Sequence, residues 1–338
     1  MKWLITGGAG FIGTSLIRRL MAEGDHSIRI IDNLSVGTRE DLASVCDLTE
    51  ILPTTLSTQR TALSTANVQL VVGDILDETL ALKACEGVDI IVHLAANTGV
   101  GPSVDDPRKD CVTNVIGTLN YLEGARHNGV KRFVFASSGA PVGECTPPIH
   151  EELPAHPVSP YGASKLAGEG YCSAYFRSFG VQTVALRFGN VYGPGSGHKS
   201  SVVAKFIKQA MNGETLEIYG DGTQTRDFIY IEDLVQAIKL AAAKEGVGGE
   251  VFQIATNRET TVSEMLDILL ECLREVGVDG IHVVHGGKRL GDVMRNFSDT
   301  SKANSHLGWS CVVGLASGLR KTCGWYYDKR EVYPDDKI

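Results

Sequence analysis

Short apolar runs, many of them β-branched, alternate with longer stretches of helical period through the first half of the chain. The strand-like runs are Trp3–Thr6, Ser27–Asp32, Val68–Gly73, Val88–Ala95, Lys131–Ser137 and Val181–Arg187. Helix-length stretches separate most of them, among them Phe11–Glu23, Asp106–Asn128 and Ser159–Gly180. Strands that alternate with helices predict a parallel sheet with right-handed crossovers and helices on both faces. The expected fold is therefore α/β, a doubly wound parallel sheet. Ligands of such sheets sit at the carboxyl ends of the strands. A Gly-rich turn at 7–13, Asp32, the segment His93–Asn97 and the pair Ser137–Ser138 all fall there.

After Arg187 the rhythm breaks. Gly and Pro cluster in Gly193-Pro-Gly-Ser-Gly197 and again in Gly220-Asp-Gly222, followed by helical periods over Ile231–Lys244, Val262–Val276 and Leu315–Asp328. This pattern predicts a smaller C-terminal α/β lobe made of 189–226 and 257–338, lying over the strand ends. Residues 1–188 form the nucleotide-binding half, and 227–256 are expected to return to it.

Composition narrows the function by exclusion. The chain has 338 residues, 43% hydrophobic and 21% charged, with a formal charge of −8 and no basic run, which argues against nucleic acid as a partner. Eight cysteines are scattered, with no C-x-x-C pair and no His at ligand spacing, so free thiols of a reducing cytosol are expected and no metal centre. No apolar stretch reaches the roughly 18 residues of a membrane helix. The N-terminus enters a strand at once without a basic leader, so a cytoplasmic location, away from membranes, is expected.

The turn Gly7-Gly-Ala-Gly-Phe-Ile-Gly13 leaves a strand and opens a helix. Gly7 permits the tight exit, Gly10 lets the backbone approach a pyrophosphate, and Gly13 lets helix and sheet pack closely. No Lys-Ser/Thr follows, which excludes a mononucleotide P-loop. This is the Rossmann-type arrangement, and it predicts a dinucleotide held at Gly7, Gly10, Phe11, Ile12 and Gly13. Asp32 ends the second strand, where a carboxylate accepts ribose hydroxyls and repels a 2′-phosphate, favouring NAD over NADP. Asn33, Ser35 and Gly37 follow it on the adenosine side. Asp74, with Ile75 beside it, closes the third strand and serves either the adenine amino group or the turn itself. Leu94, Ala95 and Ala96 complete the expected cofactor site. Residues 42–67, rich in Thr, Ser and Leu, exceed what a compact unit needs and read as a helical or loop insertion near the adenosine end.

Tyr161 and Lys165 lie four positions apart and share a helix face. A free phenol, with a pKa of about 10, is a poor base at neutral pH, but a neighbouring ammonium and an oxidised nicotinamide both favour its ionised form. Ser138 is the expected third member, relaying a proton between substrate and Tyr161. In the second half Asn190, Arg226, Arg289 and Asp292 suit a nucleoside diphosphate. Two arginines would clamp phosphates and a carboxylate would take ribose hydroxyls, while surface ion pairs are the plainer alternative for each.

With these motifs assembled, the sequence resembles the extended short-chain dehydrogenase/reductase superfamily, in its nucleotide-sugar epimerase and dehydratase branch. The matching segments span the chain: TGGAGFIG (6–13), DNLS (32–35), HLAA (93–96), SSGA (137–140), YGASK (161–165), LRFGNVYGP (186–194), GDGTQTRDFIYIEDL (220–234) and GD (291–292). The resemblance implies tightly held NAD, a 4-keto sugar intermediate and a UDP-linked substrate. It also implies a homodimer formed through the helices near 106–128 and 159–180. The first of these helices carries Cys111, Val115, Leu119 and Leu122 at helical spacing, which reads equally as a core face.

The 4,6-dehydratases of this branch place Asp-Glu directly after the Ser/Thr, and UDP-glucuronate decarboxylases place a Glu two positions after their Thr. Here Gly139 and Ala140 stand in those places, and neither moves a proton. The expected activity is therefore 4-epimerization of a UDP-hexose or its 2-acetamido form, since Asn296 replaces a bulkier residue four past the GD aspartate. Val142 also stands where relatives carry an aromatic. A uronic acid remains an alternative sugar, with Arg295 or Lys199 as carboxylate partner. A decarboxylase or dehydratase using Glu144 or Glu151, and a non-catalytic NAD-binding regulator, are the rival readings.

Overall fold

The computed structural model describes residues 1–56, 68–287 and 294–332. In chain order the first half gives β1 (Lys2–Thr6), α1 (Phe11–Glu23), β2 (Ser27–Asp32), α2 (Arg39–Ala43), β3 (Thr49–Glu50), β4 (Val68–Val72), α3 (Glu78–Ala84) and β5 (Ile90–His93). It continues through α4 (Val100–Asp105), α5 (Pro107–Cys111), α6 (Gly117–Asn128), β6 (Arg132–Ser138), α7 (Pro160–Phe179) and β7 (Thr183–Phe188). The second half adds β8 (Asn190–Tyr192), α8 (Val202–Met211), β9 (Leu216–Tyr219), β10 (Thr225–Arg226), β11 (Phe228–Tyr230) and α9 (Ile231–Ala243). Last come β12 (Glu250–Ile254), β13 (Thr260–Thr261), α10 (Val262–Glu275), β14 (Val283–Gly286) and α11 (Leu315–Val332).

Eight strands form one sheet in the order β12-β7-β6-β5-β1-β2-β4-β3, and every neighbouring pair is parallel. The expected doubly wound α/β fold is thus borne out. Strand order reverses beside β1, where the Gly-rich turn leaves the sheet. Such a switch point leaves a crevice at the carboxyl ends of the strands. Two cores flank the sheet: Leu16, Ile17 and Leu20 of α1 pack on one face, and Leu122 of α6 with Phe133 of β6 and Cys172 of α7 on the other. The first core runs without a break into Leu269 of α10, Trp309 and Tyr326 of α11. The C-terminal elements therefore share one apolar interior with the sheet.

Two local features differ from expectation. Part of the 42–67 insertion is a strand, because Thr49 and Glu50 pair with Gln69 and Leu70 at the sheet edge. Its remainder from 57 to 67 lies outside the described residues. The helical stretch over 107–128 contains a π-helical turn at Val112–Ile116, which turns the following side chains relative to a regular helix. Leu122 is consequently buried, Val115 and Leu119 are half-buried, and Cys111 faces outward. The exposed apolar residues here are Val112 and Ile116.

Candidate active site

The turn after β1 packs backbone against backbone. Gly7 has φ +69°, and a Cβ there would stand 2.8 Å from the backbone nitrogen of Ala95. Gly37 closes on the same turn from the other side, where a Cβ would meet the Ala9 carbonyl oxygen at 2.0 Å. Helix α1 begins at Phe11 with no side-chain cap and no acidic residue in its first turn. Its first N–H groups are thus left for an anion, as a pyrophosphate site requires.

Asp32 organises the adenosine side. Its carboxylate accepts from the N–H of Ala9 at 2.9 Å and of Leu34 at 2.8 Å, fixing the turn that places Leu34 at φ +55°. Burial raises its pKa, while these two backbone bonds oppose the rise. Each oxygen keeps a further lone pair for a ribose hydroxyl. Asn33 donates to Asp74 at 3.1 Å, and Asn33 Oδ1 accepts from the Ser35 N–H, so these candidates form one rim. The Ile75 side chain is buried against Gly117, away from that rim.

At the opposite end Ser138 terminates β6 and Tyr161 lies in the first turn of α7, whose start is set by the Ser159 side chain capping the Gly162 N–H and by Pro160. The Tyr161 hydroxyl faces the Ser138 side chain, whose hydroxyl favours the ionised phenol. Adjacent strand residues face opposite sides, and Ser137 bonds instead to Glu169 of α7 at 2.5 Å. Lys165 is buried; its Nζ donates to the Ala136 carbonyl at 2.8 Å and lies 5.9 Å from the Tyr161 ring centroid. Burial pushes the Tyr161 phenol up to about 12, with the nearby Ser138 hydroxyl opposing the rise, and pushes the Lys165 ammonium down to about 8. The protein alone therefore does not make Tyr161 a base at neutral pH.

A polar network that the sequence did not reveal supports this set. Asn114, in the π-helical turn, is 2% exposed; its amide nitrogen lies 2.9 Å from Asp110 Oδ1, 2.9 Å from the Asn97 carbonyl and 3.1 Å from Ser164 Oγ. Ser164 in turn donates to the Tyr161 carbonyl at 3.0 Å. His93, fully enclosed, joins Thr6 Oγ1 at 2.9 Å to Thr118 Oγ1 at 3.2 Å, and burial drives its pKa down to about 3. It is neutral and ties the ends of β1 and β5 to α6. Glu169 takes a bidentate ion pair from Arg187 at 2.8 and 2.7 Å. Most of these partners are not announced locally, because Asn114 with Asn97 and Ser164, His93 with Thr6 and Thr118, and Glu169 with Arg187 join residues well apart in sequence.

The second-half candidates are placed by short strands. Asn190 opens β8 and pairs in register with Phe228 of β11, and both border a small cavity with Ser201 and Val203. Arg226 of β10 donates to the Thr225 carbonyl at 2.7 Å, and the Asn296 N–H reaches Thr225 Oγ1 at 3.2 Å. Lys199 lies over the Phe11 ring, on the cofactor side of the crevice. Arg295 forms a bidentate pair with Glu259 at 2.7 Å for each bond. Arg289 and Asp292 lie outside the described residues.

The chain matches the family described as "NAD dependent epimerase/dehydratase family" over residues 3–255. It belongs to that family. The resemblance carried by the motifs is borne out, and NAD is the cofactor; the bare Gly7 turn, the uncapped start of α1 and Asp32 all fit it. The UDP-glucose 4-epimerase of Mycolicibacterium smegmatis is 35% identical over 98% of this chain and 100% of its own length. The structure of Thermotoga maritima UDP-glucose 4-epimerase with UDP-glucose superposes with TM-score 0.85 at 34% identity, covering 97% of this chain and 99% of that one. A dTDP-glucose 4,6-dehydratase of Streptomyces venezuelae, solved with NAD bound, gives TM-score 0.84 at 32% identity, with 98% and 99% coverage. Likeness at this level spans epimerases and dehydratases alike, and leaves the reaction to individual residues.

Proposed function

We propose that this enzyme interconverts the C4 epimers of a UDP-linked hexose or of its 2-acetamido form. The observation that carries this reading is the Ser138–Tyr161–Lys165 set in which Gly139 and Ala140, rather than carboxylates, directly follow Ser138. NAD, when bound, takes up hydride and returns it. Tyr161 removes and later restores the proton of the C4 hydroxyl, Ser138 relays it, and Lys165 supplies positive charge beneath the phenol. Asn190, Arg226, Arg289 and Asp292 hold the nucleotide diphosphate in the lobe of 189–226 and 257–338, and Asn296 borders the sugar.

Elimination or decarboxylation needs a further acid or base. A Cβ at Gly139 would meet nothing within 4 Å, so the space a carboxylate would use is empty of side chain. Glu151 accepts from the Gln253 N–H on β12 at 2.7 Å, which ties it two strands away from β6, roughly 10 Å across the sheet. Glu144 is exposed. The Arg295–Glu259 pair leaves that guanidinium engaged, which favours a neutral sugar over a uronic acid. The eight free thiols suit a cytoplasmic location.

Proton NMR in D2O tests the reading, with UDP-glucose, UDP-N-acetylglucosamine and UDP-glucuronate offered in turn and no cofactor added. The expected product is a C4 epimer of one of the first two, with no solvent deuterium in the ring. A 4-keto, deoxygenated or decarboxylated product overturns it.

The homodimer is part of the same proposal. Val112 and Ile116 lie one turn apart at 38% and 44% exposure, and the neighbouring α7 exposes Tyr171 at 38% and Phe179 at 54%. Such an apolar strip across two adjacent helices suits a partner copy better than water. Ile116→Asp is expected to weaken dimerization by about 30-fold or more, the effect of losing a central interface residue. Sedimentation equilibrium reads this directly, and a wild-type monomer at micromolar concentration refutes the interface.

A further inference from the structure

The segment between β8 and α8 crosses the cofactor crevice from the lobe side and touches the Gly-rich turn. Gly195 approaches Phe11 so closely that a Cβ there would stand 3.5 Å from its ring. Lys199 Nζ lies 5.2 Å from the centroid of the same ring. Phe11 is the first residue of α1, whose N–H groups face the pyrophosphate site. The segment is also fixed at both ends. Lys208 of α8 donates to the carbonyls of Gly197 at 2.9 Å and Lys199 at 3.0 Å, and the hydroxyls of Ser196 and Tyr326 are 3.2 Å apart. On the adenosine side His198 Nε2 meets Asp41 Oδ2 at 2.8 Å. That same carboxylate accepts from the N–H of Thr38 at 3.0 Å and from its hydroxyl at 2.9 Å. Thr38 directly follows Gly37, which packs on Ala9 of the turn.

Lys199 is the informative member. An ammonium carries three donors, and its hydrogen bond here goes to the Val191 carbonyl at 3.1 Å. Burial drives its pKa down to about 8. A half-buried cation beside a phosphate-binding turn is relieved by an anion. The source of that anion is either the cofactor pyrophosphate or the substrate diphosphate. Phe11 below it, and Asp41, which holds the adjacent His198, both belong to the cofactor half of the crevice.

We propose that residues 193–200 form a clasp over NAD, in which Lys199 binds the cofactor pyrophosphate from the side opposite the Gly-rich turn and the His198–Asp41 contact latches the clasp shut. NAD then leaves only when the clasp opens. This rests on NAD as the cofactor and not on the choice of sugar or of reaction.

The test is the retention of NAD itself. Purified wild type, Lys199→Met, Lys199→Arg and His198→Ala are passed through repeated gel filtration, and protein-bound NAD is released with acid and assayed. The release rate is followed by trapping free NAD with an excess of a second dehydrogenase. Lys199→Met is expected to release NAD about 10- to 100-fold faster, as befits the loss of a charge-assisted hydrogen bond. Lys199→Arg is expected to retain it, and His198→Ala, a surface change, to accelerate release several-fold with the pyrophosphate contact intact. Unchanged release in both Lys199→Met and His198→Ala overturns the clasp. Unchanged release in Lys199→Met together with a raised KM for the UDP-sugar assigns the ammonium to the substrate diphosphate and overturns the proposal equally.

Discussion

Tyr161→Phe is expected to lower kcat by about 10²- to 10⁴-fold, the span that a positioned acid–base group contributes, while leaving NAD bound. The substitution keeps the ring and removes only the hydroxyl that faces Ser138. The residues proposed to hold the pyrophosphate and adenosine, around Gly7, Gly37 and Asp32, lie at the other end of the crevice and are untouched by the substitution. Protein-bound NAD measured beside kcat separates loss of the base from loss of the cofactor. Residual activity within about tenfold of wild type contradicts the assigned role, since that is below the range for proton transfer.

The pH dependence sharpens the same point. With burial holding its pKa far above neutral, up to about 12, Tyr161 is almost wholly protonated at pH 7. Its base strength has to come from positive charge added to the site, that of the oxidised nicotinamide once NAD is in place. A base must be ionised to act, so kcat/KM falls as pH drops below the phenol pKa of the loaded enzyme. The acid limb of the loaded enzyme is accordingly expected well below 12, each unit of displacement representing about 1.4 kcal/mol of interaction with that charge.

What the sequence made legible was whatever is written locally. Phe11–Glu23 and Ser27–Asp32 were readable to the residue because an apolar run, a glycine turn and a helical period adjoin one another there. Tyr161 and Lys165 were readable because their spacing fixes a shared helix face before any tertiary contact forms. The edge strand at Thr49–Glu50 was not, since two exposed residues become a strand only by pairing with β4. The buried apolar face of α6 was displaced by the π-helical turn, an irregularity that periodic reading assumes away. Asn114 and Asp110 look like ordinary polar helix residues until the fold buries them beneath the Tyr161 turn. Arg187 stood inside the LRFGNVYGP motif and Glu169 in the helical stretch Ser159–Gly180, yet only the structure joins them.

That ion pair carries the largest expected effect on stability. Arg187 and Glu169 are each 5% exposed at their side chains, and the carboxylate also accepts from Ser137. Arg187→Met leaves a buried carboxylate facing a single hydroxyl, a loss of about 3–5 kcal/mol for a broken buried pair. Replacing both partners, as Arg187→Met with Glu169→Leu, removes the stranded charge and is expected to recover most of that loss. Urea unfolding of the NAD-loaded chain measures both variants, and a single-variant loss under about 1 kcal/mol, the scale of a surface pair, would show that water reaches the carboxylate. Activity separates packing from positioning. Glu169 lies one turn beyond Lys165 on α7, and Ser137 immediately precedes Ser138 on β6, so the pair sets how helix and strand align beneath Tyr161. The double variant should therefore regain stability more fully than kcat, because Ser137 has lost its acceptor and α7 its fixed register. If kcat returns in step with stability, the pair only holds the fold together and the alignment of Ser138 with Tyr161 comes from elsewhere in α7.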